Sequence, residues 1–102
     1  MTSSSLDFLI EWFARQCDGD WEHGLGISIG TLDNPGWMID IRLEGTELEG
    51  AVVDWVESEE SETQWLHWCS TGLDFKARCG PRDLERALAS FEAFVTRELD
   101  GS

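Results

Sequence analysis

The sequence predicts an α+β domain: an antiparallel four- to five-stranded meander sheet with an N-terminal and a C-terminal helix packed on one face. Three observations carry this. Apolar residues recur at helical spacing near both ends of the chain, and they alternate with polar ones through its middle. Gly, Pro, Asn and Asp punctuate the alternating runs. The chain has 102 residues, which fits a single domain over residues 1–102.

The first helix is expected over residues 6–16, with Ser4 and Ser5 as candidate caps. Leu6, Leu9, Ile10 and Phe13 form its apolar stripe, which Phe8 and Trp12 widen. Residues 17–24 read as a polar loop containing one large aromatic, Trp21. A strand follows over 25–31, then an Asp33-Asn34-Pro35-Gly36 turn, then a strand over 37–43. In that second strand Trp37, Ile39, Ile41 and Leu43 alternate with Met38, Asp40 and Arg42, the pattern of a half-buried antiparallel strand. Residues 46–50 are a short strand or a turn, and 51–58 a third strand. Residues 57–62 are an acidic, solvated tip between that strand and a fourth over 64–70. Thr71-Gly72 turns the chain into a fifth strand over 73–77. Gly80-Pro81 announces the last helix, 83–99, with Pro81 at its first position. Its stripe is Leu84, Ala87, Leu88, Phe91, Phe94, Val95 and Leu99. Asp83 and Glu85 near its start and Arg97 near its end suit the helix dipole.

Six Trp and no Tyr are unusual in a chain of this size. Trp12, Trp55 and Trp68 are expected in or beside the core. Trp21 and Trp37 border polar segments, where they either pack or anchor a partner. The net charge is −14, and no Lys or Arg occurs between Arg42 and Lys76. Such a field repels nucleic acid and anionic membrane and draws in basic surfaces. The plainer reading is solubility alone.

Cys17, Cys69 and Cys79 lack C-x-x-C spacing, so neither a zinc knuckle nor a thioredoxin-type motif is indicated. The start of the chain shows no basic region followed by an apolar run, and no segment is long enough to span a bilayer. The expectation is a cytoplasmic protein with free thiols. Asp18, Asp20 and Glu22 alternate like the opening of a calcium loop, but His23 stands where that loop needs Gly and Ile29 where it needs Glu. No metal or cofactor is expected. Cys17 is followed by acids that raise its pKa and repel an anion. Cys79 has Arg78 and Arg82 nearby and precedes a helix. Neither His23 nor His67 has a recognisable nucleophile partner, and no phosphate- or dinucleotide-binding motif is present.

The residues Cys17-Asp18-Gly19-Asp20-Trp21-Glu22-His23, then Gly26-Ile27 and Thr31-Leu32-Asp33-Asn34-Pro35-Gly36-Trp37, resemble the immunity protein 53 family of bacterial polymorphic toxin systems. The similarity continues through Thr46, Leu48, the Trp65 strand, Phe75 and Gly80-Pro81. The resemblance implies a cytoplasmic, non-enzymatic antidote that binds and neutralises a cognate toxin domain. The charge adds that a nuclease toxin, with a basic cleft, suits an acidic occluder. On this reading the toxin-binding candidates are Asp18, Asp20, Trp21, Glu22, His23, Asp33, Asn34 and Trp37. Glu57, Glu59, Glu60 and Glu62 form a secondary acidic surface. A competing reading makes the loop and turn mere supports of the hairpin through Asx-type hydrogen bonds. The partner is a protein, without nucleic acid or membrane, and the chain acts as a monomer or weak homodimer. Alternatives are a small Cys-dependent enzyme, such as a sulfurtransferase, and a generic acidic protein-binding adaptor.

Overall fold

The structure is a computed structural model that describes residues 4–100; residues 1–3, read above for a leader, lie outside the described residues. The elements are α1 (Ser5–Gln16), α2 (Trp21–Gly24), β1 (Ile27–Leu32), β2 (Gly36–Arg42), β3 (Val52–Glu59), β4 (Trp65–Thr71), β5 (Asp74–Cys79) and α3 (Leu84–Asp100). The five strands form one sheet in the order β1-β2-β5-β4-β3, and every neighbouring pair is antiparallel. The fold is thus α+β as expected. A hairpin (β1-β2) and a three-stranded meander (β3-β4-β5) join where β2 pairs with β5.

The link from β2 to β3 passes beneath the β4–β5 turn. The Leu43 amide donates to the Leu73 carbonyl and the Gly50 amide to the Gly72 carbonyl, both at 2.8 Å. Buried Leu43 and Leu48 close this end of the core. Residues 46–50 are therefore a turn, the second of the two options the sequence left.

Helix α1 starts in a capping box: the Ser4 hydroxyl accepts from the Asp7 amide at 3.1 Å, and the Asp7 carboxylate accepts from the Ser4 amide. Its buried residues are Leu9 and Trp12, with Phe8 and Phe13 packed beside them. Leu6 and Ile10 are exposed, so the stripe is centred one position away from the expected one. The cause is α3. Ser5 donates from its amide to Glu85 and from its hydroxyl to Glu92, and burial of Trp12 against Phe91 at 5.1 Å sets the rotation of α1.

Both helices lie on one face of the sheet, and α3 packs over β4 and β5. Between the layers runs an aromatic chain: Trp12 to Phe91, Phe91 to Phe75 (5.1 Å) and Phe75 to Trp68 (5.5 Å). Three expectations need correction. Pro81 is not the first helical residue; Pro81 and Arg82 form a turn and α3 begins at Leu84. Residues 21–24 are a single helical turn rather than loop. Trp55 is exposed rather than in the core, because a bulge carries it off the packed face.

Gly36 is required by a close approach. A Cβ there would collide with the Cys79 carbonyl across the β2–β5 ladder. That contact lets the hairpin turn tuck against the start of the last connection, where the Trp37 indole N–H donates to the Pro81 carbonyl at 3.0 Å.

Candidate protein-binding surface

The loop between α1 and β1 is built inward. Asp18 Oδ1 accepts from the amides of Asp20 and Trp21, both at 3.0 Å, which is an Asx turn. Glu22 accepts from the amides of Asp18 (3.0 Å) and Gly19 (2.9 Å). These backbone donors hold Asp18 below the usual carboxylate range, with Trp21 and Asp20 contributing most. Glu22 is lowered as well, by its own backbone N–H first and then by those of Asp18 and Gly19. Gly19 adopts φ of +99°, which favours glycine.

Trp21 is only 6% exposed. Its ring meets Trp12 and Phe13, each at 5.9 Å, and its N–H donates to the Glu44 carbonyl at 3.0 Å. It is therefore a core residue and not an exposed anchor. Trp37 is half-buried and held by Pro81. Of the candidates in this loop, Asp18, Asp20 and His23 are exposed and Glu22 is half-buried.

The candidate residues do not form one surface. Leu32 pairs with Gly36 at the turn end of the hairpin, and Ile27 with Ile41 at the other. Strand β1 separates the Asp18–His23 loop from the Asp33–Asn34 turn by about 20 Å, at ~3.4 Å per residue. What the turn does join is the secondary acidic surface. Asn34, Glu59, Ser61, Glu62, Trp65 and His67 line one shallow pocket of about 270 Å³.

The acidic tip is more ordered than a solvated connection. Arg86, on the first turns of α3, donates to both carboxylate oxygens of Glu60 at 2.9 and 2.8 Å and to the Ser58 hydroxyl at 3.0 Å. Ser58 also bonds Glu60 directly. The Arg86 clamp, with Ser58, lowers Glu60 from 4.5 to about 2. Ser61 Oγ accepts from the amides of Thr63 and Gln64, closing the turn. His67 Nε2 meets Glu59 Oε1 at 3.0 Å. The Asp83 carboxylate accepts from the Trp65 amide at 2.9 Å, fixing the start of α3 to β4.

The sheet face away from the helices carries a charge ladder. Arg78 and Lys76 reach Asp40 at 3.1 and 3.9 Å, and Arg42 reaches Asp74 at 3.0 Å and Glu44 at 2.8 Å. Sequence reading placed most bases in the last quarter of the chain and missed that Arg42, Lys76 and Arg78 converge here. Strand register alone could have found this, since Asp40 pairs with Lys76 and Met38 with Arg78. Arg86 left no such signal, because its reach to the tip depends on how α3 docks.

The thiols are poorly placed for nucleophilic work. Cys79 is fully buried, and burial, then Asp83, pushes it up to about 11. Cys69 is buried and raised by desolvation, which Lys76 and Arg78 only partly oppose. Cys17 is exposed, donates to the Phe13 carbonyl at 3.3 Å, and is raised by desolvation and then by Glu22 and Asp18. Among the described residues, no group of three or more His, Cys, Asp or Glu side chains is arranged to hold a metal ion. No helix among them is long and apolar enough to cross a membrane.

The fold and its charge layout define a class: a small acidic α+β protein whose shaped, ordered features are surface ones. The chain belongs to the immunity protein 53 family, whose family model matches residues 6–96. Searches of curated proteins and of solved structures found no match.

Proposed function

We propose that this immunity protein binds a cognate toxin domain stoichiometrically in the cytoplasm and blocks it by covering a basic substrate cleft, as a nuclease toxin would present. The observation that carries this is where the acids lie. The base-free stretch between Arg42 and Lys76 folds into β3, β4 and the tip that joins them. Glu59 and Glu62 line one shallow pocket with Asn34 at the tip end of the sheet, and Glu57 pairs with His67 beside it. Arg86 holds the tip in a single shape, so a partner meets a preformed acidic surface and less ordering entropy is lost on binding.

The Asp18–Glu22 loop supports this surface from a distance, by tying α1 to the hairpin. Asp33 and Asn34 belong with the acidic end. The test is protection in cells. Expressing the toxin domain encoded beside this gene should stop growth, and co-expressing this chain should restore it. Cells that die equally in both cases would rule the reading out. In vitro, a labelled oligonucleotide bound to a nuclease-type toxin domain should be displaced by one equivalent of the protein.

A further inference from the structure

Strand β3 is an edge strand, paired only with β4, and the helical layer is centred on β4 and β5. Val52 is 67% exposed, Trp55 49% and Val56 43%. Val52, opposite Thr71, and Trp55, which the bulge carries outward, lie on the sheet face away from the helices, whereas Val56, opposite Trp68, lies on the helix side. Large apolar groups exposed along a free edge are a liability that sheets normally avoid and mark an interaction site. The edge is not built for adding another strand. Val53 pairs with Ser70 and Val56 with Trp68, so β3 carries one extra residue and bulges at Asp54–Trp55. A bulge breaks the regular edge and re-aims the side chains it carries.

Charge identifies the kind of partner. Among the described residues, Asp54 and Glu57 have no ion pair. The nearby bases are engaged elsewhere: Arg86 by Glu60, and Lys76 and Arg78 by Asp40. The patch is thus apolar at its centre and acidic around it, with no cation of its own to neutralise it. An exposed Trp within such a rim is the usual composition of a binding hot spot.

We propose that β3 is the principal docking strand for the toxin domain, with Trp55 entering an apolar acceptor, Val52 packing beside it, and Asp54 and Glu57 meeting Lys or Arg around that acceptor. This rests on the reading of the chain as an inhibitor of a basic toxin. The experiment immobilises the toxin domain encoded beside this gene and measures association and dissociation of wild-type and variant proteins. Trp55→Ala should weaken binding at least ~30-fold, mainly through faster dissociation. The double variant Asp54→Lys, Glu57→Lys should slow association about tenfold at low salt. Asp20→Ala, at the far end of the hairpin, should bind like wild type. Unchanged urea midpoints check that each variant is folded. If the wild type itself does not bind, the toxin-inhibitor reading fails and this proposal with it. If the wild type binds and both β3 variants bind within about twofold of it, β3 docking is overturned while the inhibitor reading stands.

Discussion

Replacing Trp21 tests whether the most distinctive segment of the sequence acts on a partner or on the fold. In Trp21→Ala the indole leaves a site that is 6% exposed, between Trp12 and Phe13 at 5.9 Å each. Truncating a buried Trp costs about 3–5 kcal/mol, which includes its edge-on aromatic contacts. That is a large share of a total stability of about 5–15 kcal/mol. With a urea slope of ~1–2 kcal/mol/M for a chain this size, the unfolding midpoint should fall by about 2 M or more. Trp21→Phe keeps one ring but loses part of the buried indole as well as the 3.0 Å bond to the Glu44 carbonyl. Glu44 is exposed and its carbonyl can take water instead, so that change should cost less than Trp21→Ala, about 1–3 kcal/mol, most of it from the smaller ring. The assay is urea unfolding followed by Trp fluorescence, paired with binding of the folded fraction. A loss below about 1 kcal/mol in Trp21→Ala, with a large loss of affinity, would refute the structural role argued for this loop.

Other outcomes follow from the same contacts. Gly36→Ala should destabilise by about 1–3 kcal/mol in urea unfolding, because the Cys79 backbone it would strike cannot move without opening the β2–β5 ladder. Glu60 should titrate near 2 by carbon-detected NMR of its carboxyl. Its folded pKa is depressed from 4.5, so the clamp's contribution is complete above that value and is lost as pH falls through about 2. In Arg86→Met the Glu60 midpoint should return toward 4.5, and a midpoint that stays near 2 would show that Arg86 is not the cause. Thiol alkylation of the native protein should modify Cys17 alone, since Cys69 and Cys79 are buried, and mass spectrometry should find one adduct. The alkylated protein should still bind the toxin domain; loss of binding would point to a working thiol at the end of α1.

Periodicity revealed most of the fold's elements, most plainly β2 and α3, whose patterns are unbroken across their buried residues. The alternation through Trp37, Ile39 and Ile41 became β2, and the stripe through Phe91, Phe94 and Val95 became the buried face of α3, except that its last member, Leu99, is exposed where the helix runs past the core. Where the expectations slipped, tertiary contact had overridden local pattern. Leu6 and Ile10 fit a helical stripe as well as Phe8 and Trp12 do, and only the docking of α1 on α3, which buries Trp12 against Phe91, decides between them. Trp55 looked like core because Val-Val-Asp-Trp-Val is mostly apolar. Yet apolar residues on both sides of Asp54 already break strict alternation, which is the one local sign of the bulge. The acidic tip was legible as composition, whereas its order was not. The residue that shapes it, Arg86, lies 26 positions away from Glu60. The loop from Cys17 to His23 carried the family resemblance, and its composition did not tell how far its side chains would be engaged within the loop itself. Asp18 and Glu22 accept from the loop's own backbone amides, whereas the Asp20 carboxylate stays exposed.

The central claim is that acidic charge on β3 and the adjoining tip steers this protein onto a basic toxin. The most direct measurement is the association rate with the toxin domain as a function of salt. Between about 0.05 and 0.5 M NaCl the Debye length falls from ~14 to ~4 Å, so a charge-steered encounter should slow by tenfold or more while dissociation changes little. An association rate that is flat across that range would contradict the account.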